Sequence, residues 1–291
     1  MTYRIDLSPV DDGRTVRRLD QDATIVLVGC GGTGAFLAEA LCRLLIGRPS
    51  QLYLIDLDRV EAHNVARQAF DRADVGRFKA EVLAERLARR FGREIGYSVL
   101  PYERELHAQV FDRASSRLNL LIGCVDNAAA RRLIAATFDT HPGGYGFAHA
   151  GQSVWYLDSG NGPNAGQVLL GNATRVDALR GAFDPRQNLC RALPAPSLQR
   201  PDLLAAPIQP VAPVDCAEAV ANGDQGATIN QVVAAIAASY VEKLLDGTCR
   251  WMASYFDLDD GTLRCVPAEP KTVATIVGLH VNAVAPPARA A

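Results

Sequence analysis

The chain has 291 residues, of which 48% are hydrophobic, 21% charged and 7% aromatic. That composition excludes a disordered, collagenous or disulfide-framed secreted chain, and the length suits one large unit or two. Thirty Lys and Arg against 32 Asp and Glu give a formal net charge of −2. A protein built to lie on a phosphate backbone would carry a basic surplus, so nucleic acid is not an expected partner.

In chain order, Met1–Pro9 carries Arg4 and Asp6 and has no apolar h-region, so it does not read as a signal peptide. Arg14, Arg17 and Arg18 form a basic cluster, either a solvated face or a phosphate contact. Residues 24–29, T-I-V-L-V-G, read as a buried parallel strand and open into Gly29-Cys-Gly-Gly-Thr-Gly34. Residues 35–46 follow at helical spacing, and 51–56 form a second strand ending at Asp56. This is one βαβ unit with a right-handed crossover. Further on, 79–90 reads as a helix, 97–100 as a strand, 118–125 as a strand with Asp126 at its carboxyl end, and 128–138 as a helix. Ligands of open α/β sheets sit outside the carboxyl ends of the strands, so the Gly29 loop, Asp56 and Asp126 should line one crevice.

Beyond residue 140 the character changes. Residues 143–146 and 159–166 are turn-rich, with a strand expected at 167–170, and 184–215 hold seven Pro. A loop of that length is expected to be functional or disordered. A helix over 228–245, stopped at Asp246-Gly247, precedes a hairpin of 251–258 and 262–266. The tail after His280 is expected to fray. The resulting division is an N-terminal segment over 1–21, a nucleotide unit over 22–266 and a tail over 267–291. Seven scattered Cys with no C-x-x-C point to reduced thiols in a cytoplasmic protein, and no apolar run approaches the ~18 residues of a membrane span.

Gly29, Gly31 and Gly34 fit G-x-G-x-x-G, which lets a backbone turn tightly against phosphate at a helix N-terminus. Asp56, 22 residues past Gly34, suits the ribose of either NAD or ATP. An NAD-dependent oxidoreductase and an ATP enzyme both stand at this point. Asp58, Asn64, Arg67, Gln68, Lys79, Asp126 and Asn127 shift the balance. Hydride transfer needs no Arg and Lys on a phosphate cradle beside an extra carboxylate. Displacement at an α-phosphate does, because cations stabilise the charge that develops and a carboxylate holds Mg²⁺.

These residues stand as G-x-G-G-x-G at 29–34, D-x-D-x-V at 56–60, N-x-x-R-Q at 64–68, V-G-x-x-K ending at Lys79, and D-N-x-x-x-R at 126–131. In that order they resemble the ThiF/MoeB family and the adenylation domain of ubiquitin-activating enzymes. Asp215-Cys-Ala-Glu-Ala219 and the helix through 240–247 are similar to the family's cysteine region and following helix, and 158–168 resembles the ThiF-type proteins of bacterial PRTRC gene sets. The resemblance implies a doubly wound, mainly parallel α/β sheet with a C-terminal antiparallel extension. It implies ATP and Mg²⁺ as cofactors, and adenylation of the C-terminal glycine of a small ubiquitin-like or sulfur-carrier protein by a homodimer. Carried over, Gly31, Gly32 and Gly34 meet the phosphates and Asp56 the ribose. Asn64, Arg67 and Lys79 contact the phosphates, Asp126 binds Mg²⁺, and Cys216 accepts a thioester or persulfide.

Two departures stand out. The paired C-x-x-C zinc ligands of many members are missing, so zinc would need an irregular tetrad of Cys190, Cys216, Cys249 and Cys265 and is not expected. The N-terminal R-Y-x-R-Q motif, which supplies an arginine across the dimer, is also missing. Bland readings stand beside the sharp ones: Cys216 as a buried small residue, Cys30 and Cys124 as packing residues, Asp58 as a turn residue, Arg131 as a salt-bridge anchor of its helix. Modification of a tRNA base or a peptide by the same fold, and a binding module without turnover, remain alternatives.

Overall fold

The computed structural model describes residues 3–5, 7, 21–66, 68–111, 116–138, 147–148, 152–205 and 228–287. Arg14, Arg17, Arg18, Arg67 and Cys216 lie outside the described residues.

The chain opens with β1 (Arg4–Ile5) and β2 (Gln21–Val28), then α1 (Gly32–Leu44), β3 (Ser50–Ile55), α2 (Lys79–Phe91) and β4 (Gly96–Ser98). It continues through α3 (Arg104–Phe111), β5 (Ser116–Gly123), α4 (Ala128–Phe138), β6 (Phe147–Ala148), β7 (Gln152–Asn161) and β8 (Ala165–Gly171). The short strands β9 (Phe183–Asp184) and β10 (Leu189–Cys190) precede α5 (Pro196–Gln199) and α6 (Ile229–Leu245). The described chain closes with β11 (Trp251–Asp257), β12 (Thr262–Pro267), α7 (Pro270–Val277) and α8 (Val281–Val284).

Sheet order is β4-β3-β2-β5-β7-β8-β11-β12, with β6 on β7. From β4 to β7 every pair is parallel, and from β7 to β12 every pair is antiparallel. This is the expected α/β architecture with its antiparallel extension. Residues of β2 alternate between two cores. Ala23, Ile25 and Leu27 pack with α1, α2 and α6, while Val26 and Val28 pack with Phe111 of α3 and Ile134 and Phe138 of α4. Helices therefore cover both faces, which is why β2 and β5 are apolar at successive positions rather than alternate ones. Each buried Leu or Ile contributes about 1.5–3 kcal/mol.

Three expectations about the second half need correction. Residues 159–161 belong to β7 rather than to a turn. Residues 184–205 are not a featureless loop: β9 and β10 join β1 in a small sheet, and Cys190, Leu193 and Ala195 are buried. Residues 206–215 lie outside the described residues. Residues 281–287 do not fray, and 288–291 lie outside the described residues: α8 buries Val284, Ala283 C=O accepts from Gly181 N–H, and the His280 side chain accepts from Asn282 N–H. Four residues are too short to mark a helix in sequence, and its anchoring comes from a distant segment. No helix among the described residues is long and apolar enough to cross a membrane.

Candidate functional site

A cleft of about 650 Å³ runs along the carboxyl ends of the central strands. Its volume falls in the ordinary range for a small-molecule site. Sheet order fixes the order of groups along it. Leu100 and Tyr102 follow β4, Asp56 follows β3, the glycine loop follows β2, Cys124 to Asn127 follow β5, and Ser159 to Asn161 end β7. Gln167, on antiparallel β8, closes the row.

The glycine loop is dictated by close packing. A Cβ on Gly34 would lie 1.8 Å from the Gly29 carbonyl oxygen, and Gly29 itself holds φ +92°. Helical bonding in α1 starts with Ala35 N–H to Gly31 C=O at 3.0 Å, and no side chain caps Gly31. The amides of Gly32, Thr33 and Gly34 thus lack intrahelical acceptors at the positive end of a 13-residue helix, the arrangement that suits phosphate.

Asp56 is fixed by that loop. Its Oδ2 accepts from Cys30 N–H at 2.6 Å and its Oδ1 from Asp58 N–H at 2.8 Å. Burial pushes its carboxyl above the usual range, against the two amides and nearby Lys79. Each oxygen keeps a lone pair for a sugar hydroxyl. Lys79, the first residue of α2, is only 8% exposed, and its Nζ lies 3.0 Å from Asp58 Oδ2. The contacts give Asp58 a structural part on two counts. It forms the turn, with its C=O accepting from Lys79 N–H, and it holds the cation on the cleft wall. Asn64 is buried, and its Oδ1 accepts from Glu61 N–H at 3.0 Å, so the carboxamide shapes the short helix at Ala62–Ala66 as well as lining the cleft. Gln68 lines the same wall, and its Oε1 is buried without a hydrogen-bond partner among the described residues.

Asp126 stands exposed at the end of β5, with Asn127 Nδ2 3.1 Å from its Oδ1. Asn127 Oδ1 accepts from Ala130 N–H at 2.8 Å, and so caps α4. One carboxylate facing a phosphate cradle is a donor set that suits Mg²⁺, which takes its remaining ligands from phosphate and water. Among the described residues no three His, Cys, Asp or Glu are grouped to hold a metal by themselves. Cys190 and Cys249 point their thiols at the carbonyls of Ala192 and Trp251, and Cys265 pairs with Ser254 Oγ. Cys30 is fully buried, and burial raises its thiol well above the ordinary value. Cys124 faces Ser159 Oγ at 3.2 Å with its thiol pushed up to about 12 by burial, so both behave as packing residues.

Several cleft residues escape the motif reading. Thr33 Oγ1 lies 3.2 Å from Asn230 Oδ1 and 3.4 Å from Asn161 Oδ1. Asn230, in the first turn of α6, presses on the glycine loop, and a Cβ on Gly32 would lie 2.4 Å from its Nδ2. Arg131 pairs with Asp158 at 3.3 Å, both at least nine-tenths buried, with Tyr156 OH donating to Asp158 at 2.8 Å. Salt-bridge formation by Arg131 was legible, but its partner lies in another element, 27 residues away. Leu57 and Leu100 after β3 and β4, with Leu133 and Ile134 of α4, give the cleft an apolar lining.

Fold and cleft together define a doubly wound α/β protein with a phosphate-type glycine loop at its sheet crevice. A sequence profile of the ThiF family matches residues 10–264, and the chain belongs to that family. Over 76 residues it is 46% identical to the tRNA threonylcarbamoyladenosine dehydratase of Escherichia coli K12, covering 26% of this chain and 27% of that protein. Over 121 residues it is 34% identical to ubiquitin-like modifier-activating enzyme 5 of Xenopus laevis, covering 38% of this chain and 30% of the relative. The E. coli MccB structure with ATP superposes with a TM-score of 0.52 at 18% identity, covering 85% of this chain and 64% of MccB. That last likeness concerns the fold. The chain spans under a third of these two curated relatives' lengths.

Proposed function

We propose that the protein binds ATP and adenylates the C-terminal carboxylate of a small ubiquitin-like or sulfur-carrier protein. One observation carries the reading: Asp56, the uncapped α1 terminus and Asp126 follow one another along the cleft in strand order β3, β2, β5, and Lys79 lines the same cleft beside Asp58. The apolar lining suits a base, Asp56 the ribose hydroxyls, and the Gly32–Gly34 amides the phosphates. We assign Lys79 and, from its motif alone, Arg67 to the charge that gathers on the departing pyrophosphate, and cations aimed at such charge typically contribute about 10²–10³ in rate. Asp126 would hold Mg²⁺, which neutralises phosphate charge when bound. The substrate carboxylate attacks the α-phosphorus, an acyl–phosphate bond forms, and pyrophosphate leaves with the bonding electrons. Cys216 then accepts the acyl group as a thioester, releasing AMP. We place the reaction in a homodimer in a reducing cytoplasm, in keeping with the free cysteines.

ATP–pyrophosphate exchange with candidate Gly-ending partners tests this. Exchange lost in Asp126→Ala and kept in Cys216→Ala, whose transfer step alone fails, is the expected pattern. ATP binding without exchange with any partner would instead make the chain a binding module, and no ATP binding would end the proposal. The E. coli relative's name favours a second reading, a carboxylate carried on a tRNA base. AMP formation stimulated by tRNA and not by protein would establish it. Light scattering checks the dimer.

A further inference from the structure

Two helices begin at one point of the cleft. Helix α1 starts at Gly32 and α6 at Ile229, and the second residue of each meets the other: Thr33 Oγ1 donates to Asn230 Oδ1 at 3.2 Å. The two amino ends therefore lie side by side, and both Gly32 and Asn230 line the cleft. Neither first turn holds an acidic residue, and neither helix has a side-chain cap. Hydrogen bonding in α6 starts with Gln231 and Val232 N–H to Thr228 C=O, which leaves the Ile229 and Asn230 amides without an intrahelical acceptor. Two positive helix ends in contact repel each other unless an anion lies against both.

The Asn230 side chain faces the same point. Asn230 is only 7% exposed. Thr33 fixes its carboxamide through Oδ1, so Nδ2 turns to the glycine loop, where it has no hydrogen-bond partner among the described residues. A Cβ built on Gly32 would lie 2.4 Å from Nδ2. Gly32 does not hold a positive φ, so the carboxamide, rather than the backbone, demands glycine there. A buried N–H₂ without an acceptor is costly until an outside oxygen supplies one.

We propose that Asn230 is a phosphate-binding residue, and that the amino ends of α1 and α6 hold one polyphosphate chain between them. This rests on the ATP reading above and extends it to a residue outside the glycine loop and outside every motif of the chain. Nδ2 donates to a phosphate oxygen beside the Gly32–Gly34 amides, while Oδ1 stays with Thr33. The amides of Gly32, Thr33, Gly34, Ile229 and Asn230 lack helical acceptors, and with Nδ2 they form a donor-rich patch across two helices. A chain of phosphates carries matching oxygens over that span, whereas a single carboxylate does not. An amide suits the position because an acid there would neutralise the helix ends and repel the phosphates.

The test uses the full chain with Mg²⁺ and the probes ATP, inorganic tripolyphosphate and adenosine. Calorimetry follows the first two and ligand-observed NMR the last. The wild type should bind ATP and tripolyphosphate. Asn230→Ala should weaken both about tenfold or more, the size of a hydrogen bond to a charged group, and leave adenosine affinity unchanged. Asn230→Asp keeps the side-chain size and the Thr33 bond, and it should abolish binding of both phosphate probes. The same carboxylate at two helix amino ends should raise the urea midpoint of the free protein, a combination that damage to the fold does not produce. Should Asn230→Asp fail to fold, Asn230→Ala decides through its ratio of ATP to adenosine affinity. Unchanged ATP binding in Asn230→Asp, or an equal loss of ATP and adenosine in Asn230→Ala, would overturn the assignment. A wild type that binds tripolyphosphate but not ATP, with Asn230→Asp losing the tripolyphosphate, would overturn the ATP reading alone. Binding of neither phosphate probe would overturn both.

Discussion

The two halves of the sheet handle polar groups in opposite ways. Between β4 and β5 the strands are apolar, and apart from Lys79, held by the Asp58 side chain, the cleft groups hang on backbone: Asp56 on two amides, Asn64 on one, and the glycine loop on its own tight turn. Between β7 and β8 the cleft groups hang on other side chains: Arg131 on Asp158, Asp158 on Tyr156, Asn230 on Thr33. A backbone-held site is specified by local sequence and tolerates little change in shape. A side-chain-held site is specified by contacts across the fold, and it carries the desolvation cost of buried charge.

Breaking the first half should have the largest effect. Gly34→Ala drives a Cβ into the Gly29 carbonyl at 1.8 Å. We expect loss of ATP binding by calorimetry and destabilisation of about 3 kcal/mol or more in urea. Asp158→Ala should cost about 3–5 kcal/mol, because it strands a buried guanidinium, whereas the double change Arg131→Met with Asp158→Leu should cost much less. A double change as costly as the single one would show that the pair holds the fold by itself. Lys79→Ala should lower pyrophosphate exchange by about 10²–10³ at nearly unchanged stability, since its Asp58 partner is largely exposed. A matching fall in urea midpoint would recast Lys79 as structural.

The smallest expected effect sharpens the contrast at the amino end of central strand β2, away from the cleft. Burial pushes Asp22 up, but Arg48 at 2.9 Å and Arg117 at 3.0 Å more than offset it and hold the carboxyl below its usual value. Its folded pKa is lowered, so its contribution is present above the unfolded value of about 4 and fades as pH falls through the folded value. Asp22→Asn should therefore cost about 1 kcal/mol at neutral pH and nothing in strong acid, read from urea midpoints at both pH values. A gap that persists in acid would sink this account.

Much of the nucleotide half was legible because its signals are local. Apolar strands, a glycine loop, and acids at strand ends lie within a few residues of each other, and the helix at 128–138 needed only its own periodicity. The half around β7 and β8 was not. Residues 159–161 read as a turn because Gly160 and Asn161 are poor strand formers alone, and only pairing with 166–168 makes them β. Asn230 carried no motif, since its importance comes from pressing on a loop nearly 200 residues earlier.

By itself the sequence determined a doubly wound α/β fold, the position of its glycine loop, and the residues Asp56, Lys79 and Asp126 that share its crevice. Backbone chemistry repeats at short range, and so it can be read at short range. Only the tertiary structure decided that Asp58 holds Lys79, that Asp158 orients Arg131, and that Asn230 presses on the glycine loop. Those contacts join side chains from separate elements, and buried polar groups take whichever partner the packing brings within hydrogen-bond reach.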